Sequence, residues 1–350
     1  MQTIQDLLNI ELPVIQAPMA GVQKSALTVA VSNAGGLGSL PCAMLSLESL
    51  REELRAITSQ TSKPYNVNFF CHIPPSPDPV REKNWQKLLA PYYEEFDIDI
   101  KTITATQGRA PFTSEAADVL EEFKPAVVSF HFGLPSVDLM ERVKSLGAKI
   151  LSTATTVEEA CWLEQRGVDA IIVQGREAGG HRGMFLTEDI STQTRTLELL
   201  QAILEKVKVP LIAAGGIADA KGVSKVMSQG AAGAQIGTAY LLCLEVTTSA
   251  IHRAALKSES AQYTEITNVF TGRPARGIVN RLIRELGPMN DNVPIFPLAA
   301  SAIAPLRAGV EKQGLGDFSP LWCGENAKCC REISAAELTR ELAGYLLARE

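Results

Sequence analysis

Apolar residues along the chain gather in short continuous runs and do not alternate with polar ones. The first four are Val14-Ile15-Gln16-Ala17, Gly36-Leu37-Gly38-Ser39-Leu40, Tyr65-Asn66-Val67-Asn68-Phe69 and Ala126-Val127-Val128-Ser129-Phe130. Lys149-Ile150-Leu151-Ser152, Ala170-Ile171-Ile172-Val173, Pro210-Leu211-Ile212-Ala213 and Gly233-Ala234-Gln235-Ile236 complete the set. Runs that are apolar on both faces predict parallel strands buried on both sides. Helical stretches separate most of them. Thr156 to Glu164 is one, with Thr156 at the N-cap and Glu159 three residues on. Ala220 to Gln229 is another, stopped by Gly230. Eight strand–helix units between residues 13 and 238 match the size of a (β/α)8 barrel. No linker or charge break divides them, which favours this TIM barrel over a doubly wound α/β sheet.

Two regions interrupt the repeat. Residues 72–124 are too long for one connecting helix and open with His72-Ile73-Pro74-Pro75-Ser76-Pro77-Asp78-Pro79, which excludes helix. Val80 to Tyr93 then reads as helical and Asp99-Ile100-Lys101-Thr102-Ile103 as an extra strand. Residues after 240 read as mainly helical. The expected organisation is a barrel over 1–240, with an insertion at 72–124, and an extension over 241–350 that completes the substrate pocket. Long excursions from a barrel usually cover its catalytic face.

Composition narrows the class. The chain has 350 residues, 33 basic and 39 acidic side chains and a formal net charge of −6. With 46% hydrophobic residues it is far from the composition of disordered chains. An acidic chain without a Lys/Arg run argues against nucleic acid or an anionic membrane as partner. No apolar stretch approaches the roughly 18 residues of a membrane span. Met1-Gln2-Thr3-Ile4-Gln5-Asp6 lacks the basic and apolar regions of a signal peptide. Seven cysteines without CxxC spacing predict reduced thiols and a cytoplasmic protein, and give no zinc pattern. An oligomer is left open.

Barrel chemistry sits at the carboxyl ends of the strands. Those ends read Pro18-Met19-Ala20-Gly21, Pro41-Cys42, Asn68, His131, Thr153, Gln174-Gly175, Gly215-Gly216-Ile217 and Gly237-Thr238. The glycines after the seventh and eighth strands expose backbone N–H groups at expected helix starts, a phosphate-binding arrangement. The cluster Gln174-Gly175-Arg176-Glu177-Ala178-Gly179-Gly180-His181-Arg182-Gly183 is neither a Walker loop nor a dinucleotide fingerprint. Its glycines would let the backbone approach a flat ring system. His131 interrupts an apolar strand at a mouth position, and His181 lies in the loop. His72 and His252 are expected to be structural.

Several of these segments together resemble the nitronate monooxygenases, formerly 2-nitropropane dioxygenases. They are Pro13 to Gly21, Asn66 to Phe70, Ser129 to Pro135, Ala178 to Gly183, Ala214 to Ile217, Gln235 to Thr238, Gly272 to Gly277 and Leu321 to Gly324. The resemblance runs from about residue 10 to 325. It implies an FMN-containing barrel that oxidises alkyl nitronates, such as propionate 3-nitronate, with dioxygen. The FMN contacts it implies are Asn68, Gln174, Gly179, Gly180, Gly215, Gly216, Gln235, Ile236, Gly237 and Thr238, with Ala17, Pro18, Met19 and Ala20 near the isoalloxazine. It implies catalytic roles for His131, as base and electrostatic partner, and for His181, as a positioning residue. A base acting on a neutral nitroalkane would suit a histidine with a pKa near 7.

The chain departs from some members. Those place Tyr and Lys after a Phe-Pro-Leu-Ala segment, where Phe296-Pro297-Leu298-Ala299 here continues as Ala300-Ser301-Ala302-Ile303-Ala304. A Tyr before Ala-Pro-Phe is replaced by Gln107-Gly108-Arg109, and Leu40-Pro41-Cys42-Ala43-Met44 differs from the commoner glycine-rich loop. The other readings are an FMN-dependent NAD(P)H reductase (enoyl-acyl-carrier-protein or quinone), a flavin-free barrel lyase or isomerase on a phosphorylated metabolite, and a non-catalytic flavin protein.

Overall fold

The computed structural model describes residues 3–103 and 109–347. Among them are eleven strands, here β1 to β11 in chain order: Val14–Gln16, Gly38–Pro41, Tyr65–Phe70, Val127–His131, Lys149–Ala154, Ala170–Gln174, Gly180–His181, Leu211–Ala214, Gly233–Ile236, Thr264–Thr267 and Ala275–Ile278. Eight of them form one parallel sheet in the order β1-β9-β8-β6-β5-β4-β3-β2. Its two edges meet. Gln16 N donates to Leu37 O and Leu37 N to Val14 O, both at 2.9 Å. The sheet is therefore closed, and the chain is a (β/α)8 barrel whose strands are the eight apolar runs.

Closure explains the double-sided apolarity. Inward residues Leu37, Val127, Leu151 and Ile212 pack against Ile4 and Leu8 of the helix Ile4–Leu8, which plugs the amino-terminal end. Outward residues such as Val67, Val128, Ile171 and Val173 meet the surrounding helices. The helix Val157–Gln165 begins as expected, with Thr156 Oγ1 accepting from Glu159 N. The Glu159 carboxylate does not close a reciprocal cap. It is fully buried and accepts from Thr155 N (2.7 Å), Thr155 Oγ1 (2.8 Å) and Leu186 N (3.2 Å), tying the end of β5 to the loop beyond Gly183. The helix Ala220–Ser228 is capped by Asp219, and Gly230 takes a φ of +99° after its end.

A second core lies outside the barrel. The helix Pro79–Glu95 supplies Trp85 and Leu89, and the tail supplies Leu306, Val310 and Phe318, all fully buried. The final helix, Ala335–Leu347, returns to the barrel and lays Leu338 and Leu342 on the helices Ser25–Asn33 and Ala220–Ser228.

The structure corrects one local expectation and adds detail to another. Residues 99–103 form no strand: Asp99 Oδ1 accepts from Lys101 N at 2.9 Å and turns the chain into the short 3-10 helix Ile100–Thr102. The region after 240 also contains strands. β10 and β11 pair antiparallel, and β11 pairs with β7 through Ala275 opposite His181 and Arg276 opposite Gly180. That small sheet clamps the glycine-rich loop against the tail.

Candidate active site

The carboxyl ends of the barrel strands open into a cavity of about 1380 Å³, counting its mouth. Ala17, Pro18, Met19, Ala20, Asn68, His131, Gln174, Gly179, Gly180, His181, Gly215, Gly216, Gln235, Gly237 and Thr238 all line it. Ile236 does not. Successive side chains on a strand point to opposite faces; Gln235 points inward, so Ile236 is 1% exposed in the outer core. The loop after β1 is held by buried amides. Gln16 Oε1 accepts from Ser39 N (2.9 Å), and Gln23 Oε1 accepts from Met19 N (2.9 Å) and Gln16 Nε2 (2.7 Å).

One wall is backbone. Gly215 and Gly216 have φ values of +122° and +69°, a region that residues with a Cβ seldom enter. Gly179 packs so closely on the tail that an added Cβ would sit 2.5 Å from Gly324 N. Thr238 Oγ1 accepts from that same Gly324 N at 2.9 Å. The two expected phosphate loops differ. The β8 loop leads into an α-helix, but β9 is followed only by the 3-10 turn Thr238–Leu242. Gln235 Oε1 is buried without a hydrogen-bond partner in the protein, an orphan acceptor beside this wall. A buried acceptor left unpaired costs roughly 1–3 kcal/mol, so a polar ligand there fits it.

Gln174 reaches the cavity, but its amide is committed to the loop. Oε1 accepts from Gly183 N (2.8 Å) and Nε2 donates to His181 O (2.9 Å). Arg182, fully buried, completes the scaffold by donating to Gln174 O (2.7 Å), Gly175 O (2.8 Å) and Gln193 Oε1 (2.9 Å). Asn68 is positioned from β4, donating to Ser129 Oγ at 2.9 Å.

The opposite wall carries the histidines. His131 Nε2 faces the His181 carbonyl at 3.2 Å and Nδ1 faces Thr153 Oγ1 at 3.1 Å. A carbonyl can only accept, so Nε2 carries the hydrogen and Nδ1 accepts from the threonine. Burial pushes the His131 pKa down to about 3, helped by Arg273 and Arg182 and opposed by the His181 carbonyl. His181 is also held well below its ordinary value, by burial first and then by Arg109. Its Nε2 bonds to Thr271 Oγ1 at 3.0 Å. Both imidazoles are therefore neutral near pH 7, which departs from the expected base with a pKa near 7.

Other lining residues carried weaker sequence signals. Arg109 enters from the insertion; Gln107 and Gly108 beside it lie outside the described residues. Glu177 lines the cavity, but its carboxylate accepts from Thr196 N and Oγ1, both at 2.9 Å, and pairs with Arg195 at 3.3 Å. Asn326 and Gly324 come from the tail, and Asn326 donates to the Gly216 carbonyl. No periodic pattern marks them, since each arrives from a loop. His252, expected to be structural, reaches the cavity, whereas His72 is buried among Phe70, Phe132 and Phe296. Among the described residues no group of three or more His, Cys, Asp or Glu side chains could hold a metal ion. No helix among them is long and apolar enough to cross a membrane.

Known proteins agree with this geometry. The family model described as nitronate monooxygenase matches residues 1–344. A nitronate monooxygenase of Pseudomonas aeruginosa is 40% identical over 345 residues, covering 97% of each chain. One of Paraburkholderia phytofirmans is 40% identical over 343 residues, covering 96% of this chain and 92% of its own. The crystal structure of a nitroalkane oxidase from Streptomyces ansochromogenes superposes with a TM-score of 0.89 at 35% identity, covering all of both chains. The chain belongs to the nitronate monooxygenase family of oxidoreductases.

Proposed function

We propose that the protein oxidises alkyl nitronates with dioxygen and that it does so with FMN bound in the barrel-mouth cavity. One observation supports this reading above the rest: the cavity is suited to receiving an anion and poorly suited to making one. Its two mouth histidines are neutral, and its carboxylate, Glu177, is engaged by Thr196 and Arg195. A nitronate is already a carbanion equivalent and asks for no strong base.

The residues present fit FMN. The backbone of Gly179, Gly180, Gly215, Gly216 and Gly237, with Thr238, would hold the phosphate-bearing end, and the orphan Gln235 oxygen would meet a donor. Ala17 to Ala20 and Asn68 would border the ring system. When bound, FMN supplies the electron acceptor for the substrate and the site of reaction with dioxygen. The protein's share is positioning. His181 would face the nitronate group with its ring oriented by Thr271, and His131, both of whose ring nitrogens are engaged by Thr153 and the His181 carbonyl, would hold the loop that carries His181 in place. Phe70 and Trp322 line the cavity with apolar surface that limits water near the anion.

The test is oxygen uptake by the purified yellow protein with a simple alkyl nitronate, together with release of the bound flavin and its identification. Nitrite formation matched to oxygen consumption, with one FMN per chain, is expected. A colourless protein that FMN does not reconstitute would remove the reading.

A further inference from the structure

We infer that His252 is a further contact to the flavin, its Nε2 accepting a hydrogen bond from a hydroxyl of the ribityl chain. The inference rests on the FMN reading of the cavity and adds a cofactor-binding residue from the tail to it.

His252 sits on the helix Ala250–Lys257, begun by Ser249, whose Oγ accepts from His252 N at 3.2 Å. Ile251, Ala255 and Leu256 of that helix share an apolar cluster with Leu241, Leu242, Met19 and Val22, and Arg253 donates to the Leu242 carbonyl at 3.1 Å. His252 is only 5% exposed and lines the cavity. Burial pushes its pKa down to about 4, and a backbone hydrogen bond at Trp322 opposes the shift. A bond that favours the protonated ring is one the ring donates, so it ends on the Trp322 carbonyl. Nε2 is buried without a partner among the described residues. The hydrogen therefore sits on Nδ1, and Nε2 of the neutral ring is a bare acceptor. Leaving such an acceptor unpaired is unfavourable, and a donor on the ligand relieves it.

The chemistry of the ligand decides which part meets this nitrogen. A nitronate and an ionised phosphate offer oxygens without hydrogens, which a bare acceptor repels. The imide N–H of the isoalloxazine belongs to the ring edge remote from the chain. The ribityl hydroxyls are donors, and they lie between phosphate and ring. The helix of His252 is placed beside that span. It packs on Leu241, from the 3-10 turn that starts at Thr238 on the wall proposed for the phosphate, and on Met19, from the loop proposed to border the ring. Gln235 Oε1, a second unpaired acceptor lining the cavity, lies on β9, which leads into the same turn. Two such acceptors on one side of the cavity suit a polyol.

The test titrates apoprotein, by quenching of flavin fluorescence, with FMN and with an analogue in which a plain pentyl chain carries the phosphate. Wild type should bind FMN about tenfold or more tightly than the analogue. H252L should shrink that ratio about threefold or more, with the affinity for the analogue little changed. H252Q, which returns an acceptor oxygen, should restore part of the ratio. A ratio unchanged in folded H252L, or equal weakening of both flavins, would overturn the inference and make His252 a packing residue. Equal affinity of wild type for the two flavins would overturn it too, while leaving FMN as the cofactor. Binding of neither flavin to wild type would remove the FMN reading itself, and the inference with it.

Discussion

Replacing His131 by Gln removes the imidazole while leaving an amide N–H that can reach the His181 carbonyl. The wild-type ring has its pKa pushed down to about 3 from an ordinary 6.5. That gap corresponds to roughly 5 kcal/mol against holding a proton. With a Brønsted coefficient of about one half, such a base takes a carbon-bound proton on the order of 50-fold more slowly than an unperturbed histidine. The lone pair on Nδ1 is moreover engaged by the Thr153 hydroxyl at 3.1 Å. In the proposed reaction His131 would therefore be a neutral ring that orders the site, not a base. H131Q keeps an N–H for the His181 carbonyl and loses the acceptor for Thr153, and losing one such hydrogen bond is worth about 0.5–1.5 kcal/mol, a factor of roughly 2 to 10. The assay is initial oxygen uptake with a freshly diluted nitronate and, separately, with its parent nitroalkane, between pH 6 and 9. H131Q should lose a similar modest factor on both substrates, and wild type should show no enzyme ionisation near 6.5 with the nitronate. A selective loss of about 10²–10⁴-fold on the nitroalkane alone would refute the reasoning and restore His131 as a general base.

Gly216→Val should weaken FMN binding about tenfold or more. Its φ of +69° costs a β-branched residue at least 1–2 kcal/mol, and the new Cβ would meet Glu177 Cβ at 3.3 Å; titration of apoprotein with FMN measures it, and unchanged affinity would make the loop a mere turn. Stability should also depend on pH. A histidine held at about 3 when folded and 6.5 when unfolded leaves the unfolded state with more protons below 6.5. Its contribution is thus complete above that pH and falls by up to about 1.4 kcal/mol per pH unit down to the folded value. Denaturant unfolding of wild type and H131Q at pH 7 and 5 should show the smaller pH drop in the variant.

The barrel was readable because parallel strands buried on both faces must be apolar throughout, and each run from Val14 to Ile236 falls on one strand of the closed sheet. The glycines and His131 were readable because they stand where those runs end. What was hidden is long-range. The strand at Thr264–Thr267 alternates weakly, and its partner Ala275–Ile278 is completed on the other edge by Gly180–His181, far earlier in the chain, so no local pattern announces the sheet. Asp99–Ile103 has strand composition, but the Asp99 carboxylate satisfies a local N–H and turns the chain. Ile236 was placed in the site by its neighbours, against the alternation that turns it outward. The neutrality of His131 comes from burial and from Arg273 and Arg182, distant residues that the motif around it cannot report.

The most direct test of the central claim is anaerobic rapid mixing of the purified protein with an alkyl nitronate, NADH or NADPH while the visible flavin band is followed. A cavity that receives small anions predicts bleaching by the nitronate far faster than by either nicotinamide, with the band restored on admitting oxygen. Rapid bleaching by NADH or NADPH and none by the nitronate would contradict the account and make the cavity that of a nicotinamide-dependent reductase.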